Sequence, residues 1–147
     1  LDGKFTGVSR FWGIDANALK AELDVSYRYG TKLEASAKVG YHRWKTADGG
    51  EAISYNRPQW EGGANIRYMP VRPFVLEAGY EFAAGREYSN LGKLSDIHLV
   101  HLKASYAFTS WFSLYGLTDN VLNRKYEILY GMPAQGINFM FGVDLKF

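Results

Sequence analysis

Along most of this chain, apolar and polar residues alternate one by one. Leu19, Ala21, Leu23, Val25, Tyr27 and Tyr29 are separated by Lys20, Glu22, Asp24, Ser26 and Arg28. A period of two places successive side chains on opposite faces of an extended backbone, so the stretch reads as a strand with one apolar and one wet face. The pattern returns at Leu33, Ala35, Ala37, Val39 and Tyr41, and at Trp60, Gly62, Ala64, Ile66 and Tyr68. It returns again at Phe74, Leu76, Ala78, Tyr80 and Phe82, then at Val100, Leu102, Ala104, Tyr106 and Phe108. Residues 112–118 read as a further strand. In the last stretch, 136–147, Ile137, Phe139, Phe141, Val143, Leu145 and Phe147 share one face. A less regular stretch, 4–12, precedes them all, with a turn expected over 13–16. No segment shows the three-and-four spacing of an amphipathic helix.

The expectation is an all-β antiparallel meander of about eight strands, each of roughly the length a tilted membrane-spanning strand needs. The connections alternate as well. Short turns are expected at Gly30-Thr31, at 69–73 and at Thr109-Ser110; long connections at 45–58, 83–95 and 121–135. Outer-membrane barrels have short periplasmic turns and long outer loops. By that parity the chain ends on the periplasmic side.

Alternation alone fits a soluble barrel with its apolar face inward and a membrane barrel with its apolar face on lipid. Composition tips the choice. The chain holds 11 Tyr, 9 Phe and 4 Trp, and these rings gather at strand ends. Tyr27, Tyr29, Tyr68, Phe74, Tyr106, Phe108, Trp111 and Phe147 lie toward the short turns; Tyr41, Trp44, Trp60, Tyr80 and Phe82 lie toward the long connections. The middle of the apolar face is built of smaller residues, Ala35, Ala37, Ala64, Ala78 and Ala104 among them. A soluble core wants its bulk at mid-strand, whereas a membrane barrel wants aromatic girdles at headgroup depth. A strand that ends the chain on an aromatic residue has the same rationale. The chain starts at Leu1 without a Met or a signal peptide, so a mature chain or a piece of a longer one is expected.

With 147 residues, no cysteine and a net charge of +2, disulfides and thiolate metal sites are excluded and nucleic acid is not an expected partner. His98 and His101 fall on opposite faces of one strand and cannot share a metal. Asp48-Gly49-Gly50 lacks the spaced acids of a calcium loop. Glu22, Asp24, Glu34, Glu61, Glu77 and Glu81 share a face with Lys20, Arg28, Lys38, Arg67 and Lys103, which reads as a lattice of cross-strand pairs lining a lumen rather than a catalytic pair. No nucleophile–base order, phosphate loop or zinc spacing is present, so no enzyme activity and no cofactor are expected. Trp44, Tyr55, Trp60, Tyr88 and Tyr130, in or beside the long connections, are candidate ligand-stacking aromatics, with membership of the outer girdle as the alternative.

Asp119-Asn120-Val121-Leu122-Asn123-Arg124-Lys125-Tyr126 resembles the N-hydrophobic-hydrophobic-(N/D)-(K/R)-(K/R)-Tyr segment near the end of TonB-dependent outer-membrane receptors. Tyr130-Gly131-Met132-Pro133 resembles the loop that follows it, and 139–147 resembles the last strand. Where many members have Pro-Gly-Arg before that strand, this chain has Pro133-Ala134-Gln135. The resemblance covers 111–147, about a quarter of the chain. It implies the carboxy-terminal segment of a large plugged barrel that takes up siderophores, cobalamin, metal chelates or glycans. It also implies a place in the outer membrane of a Gram-negative bacterium, with energy from TonB acting through a plug domain that this chain does not supply. Phe139, Phe141, Val143, Leu145 and Phe147 would form the signal read by the barrel-assembly machinery. Such a segment is expected as an open sheet, as copies self-associated through edge strands, or as a closed small barrel. The alternatives in function are a complete eight-stranded outer-membrane barrel with a structural or adhesive role, and a soluble ligand-binding β-barrel.

Overall fold

The computed structural model describes residues 9–11, 14–46, 58–86 and 92–146, the side chains of 9–11, 14–18 and 44–46 excepted. Ten strands follow in order: β1 (Ser9–Phe11), β2 (Ile14–Tyr29), β3 (Leu33–Thr46), β4 (Trp60–Val71), β5 (Phe74–Ala84), β6 (Ile97–Ala107), β7 (Phe112–Asp119), β8 (Glu127–Leu129), β9 (Met132–Pro133) and β10 (Asn138–Leu145). An eight-stranded antiparallel sheet runs β1-β2-β3-β4-β5-β6-β7-β10, and β8 and β9 form a separate small hairpin. Every large-sheet neighbour is a sequence neighbour, save that the last connection carries the hairpin. The sheet is open: among the described residues β10 pairs with β7 alone. The closed small barrel expected as one of three forms is thus not what this chain adopts.

The register carries the two faces across the whole sheet. Leu23 opposes Val39, Val39 opposes Gly62, and Gly62 opposes Phe82. On β10, Phe139, Phe141, Val143 and Leu145 oppose Thr118, Gly116, Leu114 and Phe112. A slip of one residue anywhere would mix charged and apolar side chains on one face, so the pattern itself specifies the register. Three cross-strand pairs set an aromatic ring over a glycine: Phe82 over Gly62, Phe141 over Gly116 and Tyr115 over Gly142. In each, a Cβ on the glycine would run into the ring, so the ring fills the space that the missing side chain leaves.

Several boundaries differ from the alternation. The turn expected over 13–16 is shorter, because Asp15 and Ala16 already pair with Arg10 and Ser9. The turn expected over 69–73 narrows to Arg72 and Pro73, since β4 continues to Val71. The register shifts between Tyr68 and Val71, around Pro70, which has no N–H to give the ladder. Residues 121–135 hold the β8–β9 hairpin, where continuous loop was expected. At the short-turn end Lys146 N–H donates to Trp111 O at 2.9 Å, which carries the β10–β7 pairing past the end of the strand.

Candidate functional site: the polar wall and the outer connections

On the wet face, charges of alternating sign line up in one hydrogen-bonding row. Arg28 opposes Glu34, Glu34 opposes Arg67, Arg67 opposes Glu77, and Glu77 opposes Lys103, from β2 to β6. Arg28 Nε lies 3.0 Å from Glu34 Oε1, Arg67 Nε 3.4 Å from Glu77 Oε1, and Lys103 Nζ 3.3 Å from Glu77 Oε2. The row ends with Lys103 over the Tyr115 ring, 5.8 Å from its centroid. Farther toward the long connections, His42 Nε2 lies 3.0 Å from Glu61 Oε1. His101 Nδ1 lies 3.0 Å from Asp119 Oδ1, with Glu81 Oε2 at 3.8 Å from its Nε2. A hollow of about 1050 Å³ lies along this wall, lined by Arg28, Glu34, Arg67, Glu77, His101 and Lys103 among others. Among the described residues no group of His, Asp and Glu is arranged to hold a metal ion.

The apolar face has the opposite character. Phe141 is 83% exposed, and Val25, Tyr27, Ile66, Phe139 and Val143 are exposed as well. The His42 side chain on the charged face is only 15% exposed. Elsewhere the charged face is open too, with the Arg28 side chain 74% exposed, so the sheet covers neither face, whereas a water-soluble domain buries its apolar one. Among the described residues no inward apolar core of the soluble-barrel kind forms.

Both aromatic bands are present on the apolar face. At the short-turn end Phe74, Tyr106, Phe108, Phe112 and Trp111 touch in sequence, with ring centroids 6.5, 4.8, 5.4 and 5.9 Å apart. At the other end Trp60 lies 4.7 Å from Tyr41, and Tyr80 packs against Phe82 and His98, its hydroxyl 2.8 Å from His98 Nδ1. Trp60 thus belongs to the aromatic cluster at the long-connection end. Tyr130 is exposed beside Gly131 at the tip of the β8–β9 hairpin. Trp44 is a β3 residue opposite Ala18, with its side chain outside the description. Tyr55, Tyr88 and Phe147, like Asp48-Gly49-Gly50, lie outside the described residues. Of the candidate loop aromatics only Trp60 and Tyr130 have described side chains, and these lie on separate elements, β4 and the β8–β9 hairpin. Phe139, Phe141, Val143 and Leu145 share one face of β10.

The long connections hold what the sequence did not show. Asn120, 4% exposed and at φ 50, accepts the Arg124 N–H at 2.8 Å on Oδ1. Its Nδ2 donates to Arg124 O at 2.9 Å and to Gln135 O at 3.3 Å. Asn tolerates the left-handed conformation because its short amide bonds locally. Asn123, at φ 47, accepts the Ile137 N–H at 3.1 Å. A Cβ on Gly136 would lie 2.7 Å from that same oxygen. The two asparagines of the family-like segment thus fold the connection back onto the start of β10. Arg86, 3% exposed, donates to Ser95 O at 3.4 Å and to Ile128 O at 2.8 Å. Burial pushes its guanidinium below the usual range, while Tyr126, Asp96 and Glu127 pull it back up. Nothing local marks Arg86 in the sequence, since Ile128 is 42 positions away.

Neither a protein-family model nor a curated protein matches the sequence. Solved structures do match. The FpvAI–pyocin S2 complex aligns with TM-score 0.78 and 19% identity, over 91% of this chain and 20% of that one. The ferripyoverdine receptor of the outer membrane of Pseudomonas aeruginosa, bound to ferripyoverdine, aligns with TM-score 0.76 and 19% identity over the same shares, 91% and 20%. The copper transporter OprC aligns with TM-score 0.70 and 18% identity, over 91% of this chain and 24% of that one. The fold is that of a TonB-dependent receptor barrel. This chain spans about a fifth of the length of the first of these receptors.

Proposed function

We propose that this chain is the carboxy-terminal wall segment of a TonB-dependent outer-membrane receptor for nutrient uptake. The observation that carries the reading is the bare apolar face on a sheet of receptor-barrel fold. The strands seal against outer-membrane lipid, and the charged face lines the lumen against a plug domain through which TonB acts. The long connections help to build the outer mouth, while Phe139, Phe141, Val143, Leu145 and Phe147 direct insertion by the barrel-assembly machinery. The segment transports nothing alone. Its ligand belongs among siderophores, cobalamin, metal chelates and glycans. The ferripyoverdine and copper named for the similar structures favour a metal-bearing one.

Spin labels placed one at a time at 138–145 in the membrane-inserted receptor test the orientation. Labels at 139, 141, 143 and 145 are expected to collide with dissolved oxygen, and those at 138, 140, 142 and 144 with a water-soluble nickel chelate. If the odd positions prefer the chelate, the apolar face does not meet lipid and the reading fails.

A further inference from the structure

Among the described residues the side chains buried from solvent are Arg86, Leu94 and Asn120, and all belong to the long connections rather than to the sheet. We propose that Arg86 is a positioning residue that latches the two feet of the β5–β6 connection, residues 85–86 and 94–96, to the β8–β9 hairpin, so that feet and hairpin loosen and tighten as one unit.

The latch is assembled from both sides. Gly85, at φ 68, turns the chain out of β5, and its N–H donates to Asp96 Oδ1 at 3.1 Å, closing the base of its connection. Leu94 N–H donates to Arg86 O at 2.9 Å, which fixes the Arg86 backbone from within that connection. The guanidinium then reaches beyond it: Nη1 takes Ser95 O on its own side and Nη2 takes Ile128 O in β8. The hairpin is a formed structure in its own right. Ala134 N–H donates to Tyr126 O at 2.9 Å across its base, and Gly131, at φ 75, makes its turn.

A planar guanidinium can serve carbonyls on two segments at once, whereas an ammonium is a point charge. Buried this deeply, it cannot lose the hairpin carbonyl without leaving part of its charge unsolvated. Loosening either connection therefore exposes Arg86 and weakens the other, and a coupling of this kind is reciprocal. The latch rests on contacts within the chain; only its place at an outer mouth rests on the receptor reading.

Reciprocity supplies the test. Amide hydrogen exchange is read on the intact membrane-embedded receptor for Gly85 and Leu94 on one side and Ala134 on the other. Arg86→Lys removes one of the two reaches. Gly131→Val strains the hairpin turn alone, since φ 75 suits glycine and a Cβ there meets nothing within 4 Å. Each variant is expected to speed exchange at both sets of amides by about tenfold or more, with Leu117 and Met140 in the strands unchanged. Gly131→Val reports from the hairpin side even if Arg86→Lys fails to fold. A change confined to the altered connection, or one spread equally into the strands, overturns the latch.

Discussion

Single residues settle the shape of the last connection. Asn120 combines a backbone angle that most residues resist with three side-chain hydrogen bonds in a nearly closed site. Asn120→Ala leaves the Arg124 N–H and two carbonyls without that partner and strains φ, at a cost of about 2–3 kcal/mol to the connection. Asn120→Asp keeps the acceptor and tolerates the left-handed backbone but loses both donated bonds. Trypsin cleavage after the exposed Arg124 and Lys125 reads the difference, with the rate expected to rise from Asn to Asp to Ala. Equal rates in all three would mean that the turn holds without its amide. The family-like segment could be picked out from its residue types, but what Asn120 does could not. Its partners Arg124 and Gln135 are brought together only when the chain turns back toward β10, and alternation says nothing about a segment that does not alternate. Arg86 was hidden for the same reason, since its hairpin acceptor sits in a stretch that read as loop.

At the level of the strands, the alternation was enough to place the central five, β2 to β6, with their partners, because one wrong register would mix the two faces. It erred where a backbone requirement overrode it, as at Pro70, where the missing N–H moves the register without ending the strand. The same alternation placed the charges in a row, and pairing within that row is testable. Glu77 stands between Arg67 and Lys103. It is half-exposed on a wet wall, so Glu77→Gln is expected to cost less than about 1 kcal/mol. Glu77→Lys sets three cations side by side in direct register, and like charges opposite one another destabilise a sheet. Its penalty should exceed that of the Gln variant and shrink as salt is raised, because the Debye length falls from about 10 Å at 0.1 M to about 3 Å at 1 M. Guanidinium-free unfolding, by urea in lipid vesicles at two ionic strengths, measures both. A Lys penalty that ignores salt would mean that shape, not charge, holds this row.

For the whole molecule, the question is which face meets water, and the answer fixes the sign of a mutation. The open sheet has a bare apolar face bounded by aromatic bands and a charged face along a hollow. In water the first face would be a liability, and a charge placed on it would relieve exposure and improve solubility. In a bilayer the same charge must be carried into hydrocarbon. Strand β10 crosses from the long connections at Asn138 to the short-turn end at Leu145, with Phe141 near its middle and Phe139 near its outer end. In a membrane barrel an arginine at the bilayer midplane costs about 2–4 kcal/mol and one near the interface about 0–1. Phe141→Arg should therefore destabilise the folded protein in vesicles more than Phe139→Arg or Leu145→Arg does, giving a profile that peaks at mid-strand. The packing of Phe141 over Gly116 adds a loss that Phe141→Ala measures alone, and the Arg penalty is expected to exceed the Ala penalty. A flat profile, or an arginine at 141 that stabilises the protein, would place this face in water and remove the basis for a membrane wall.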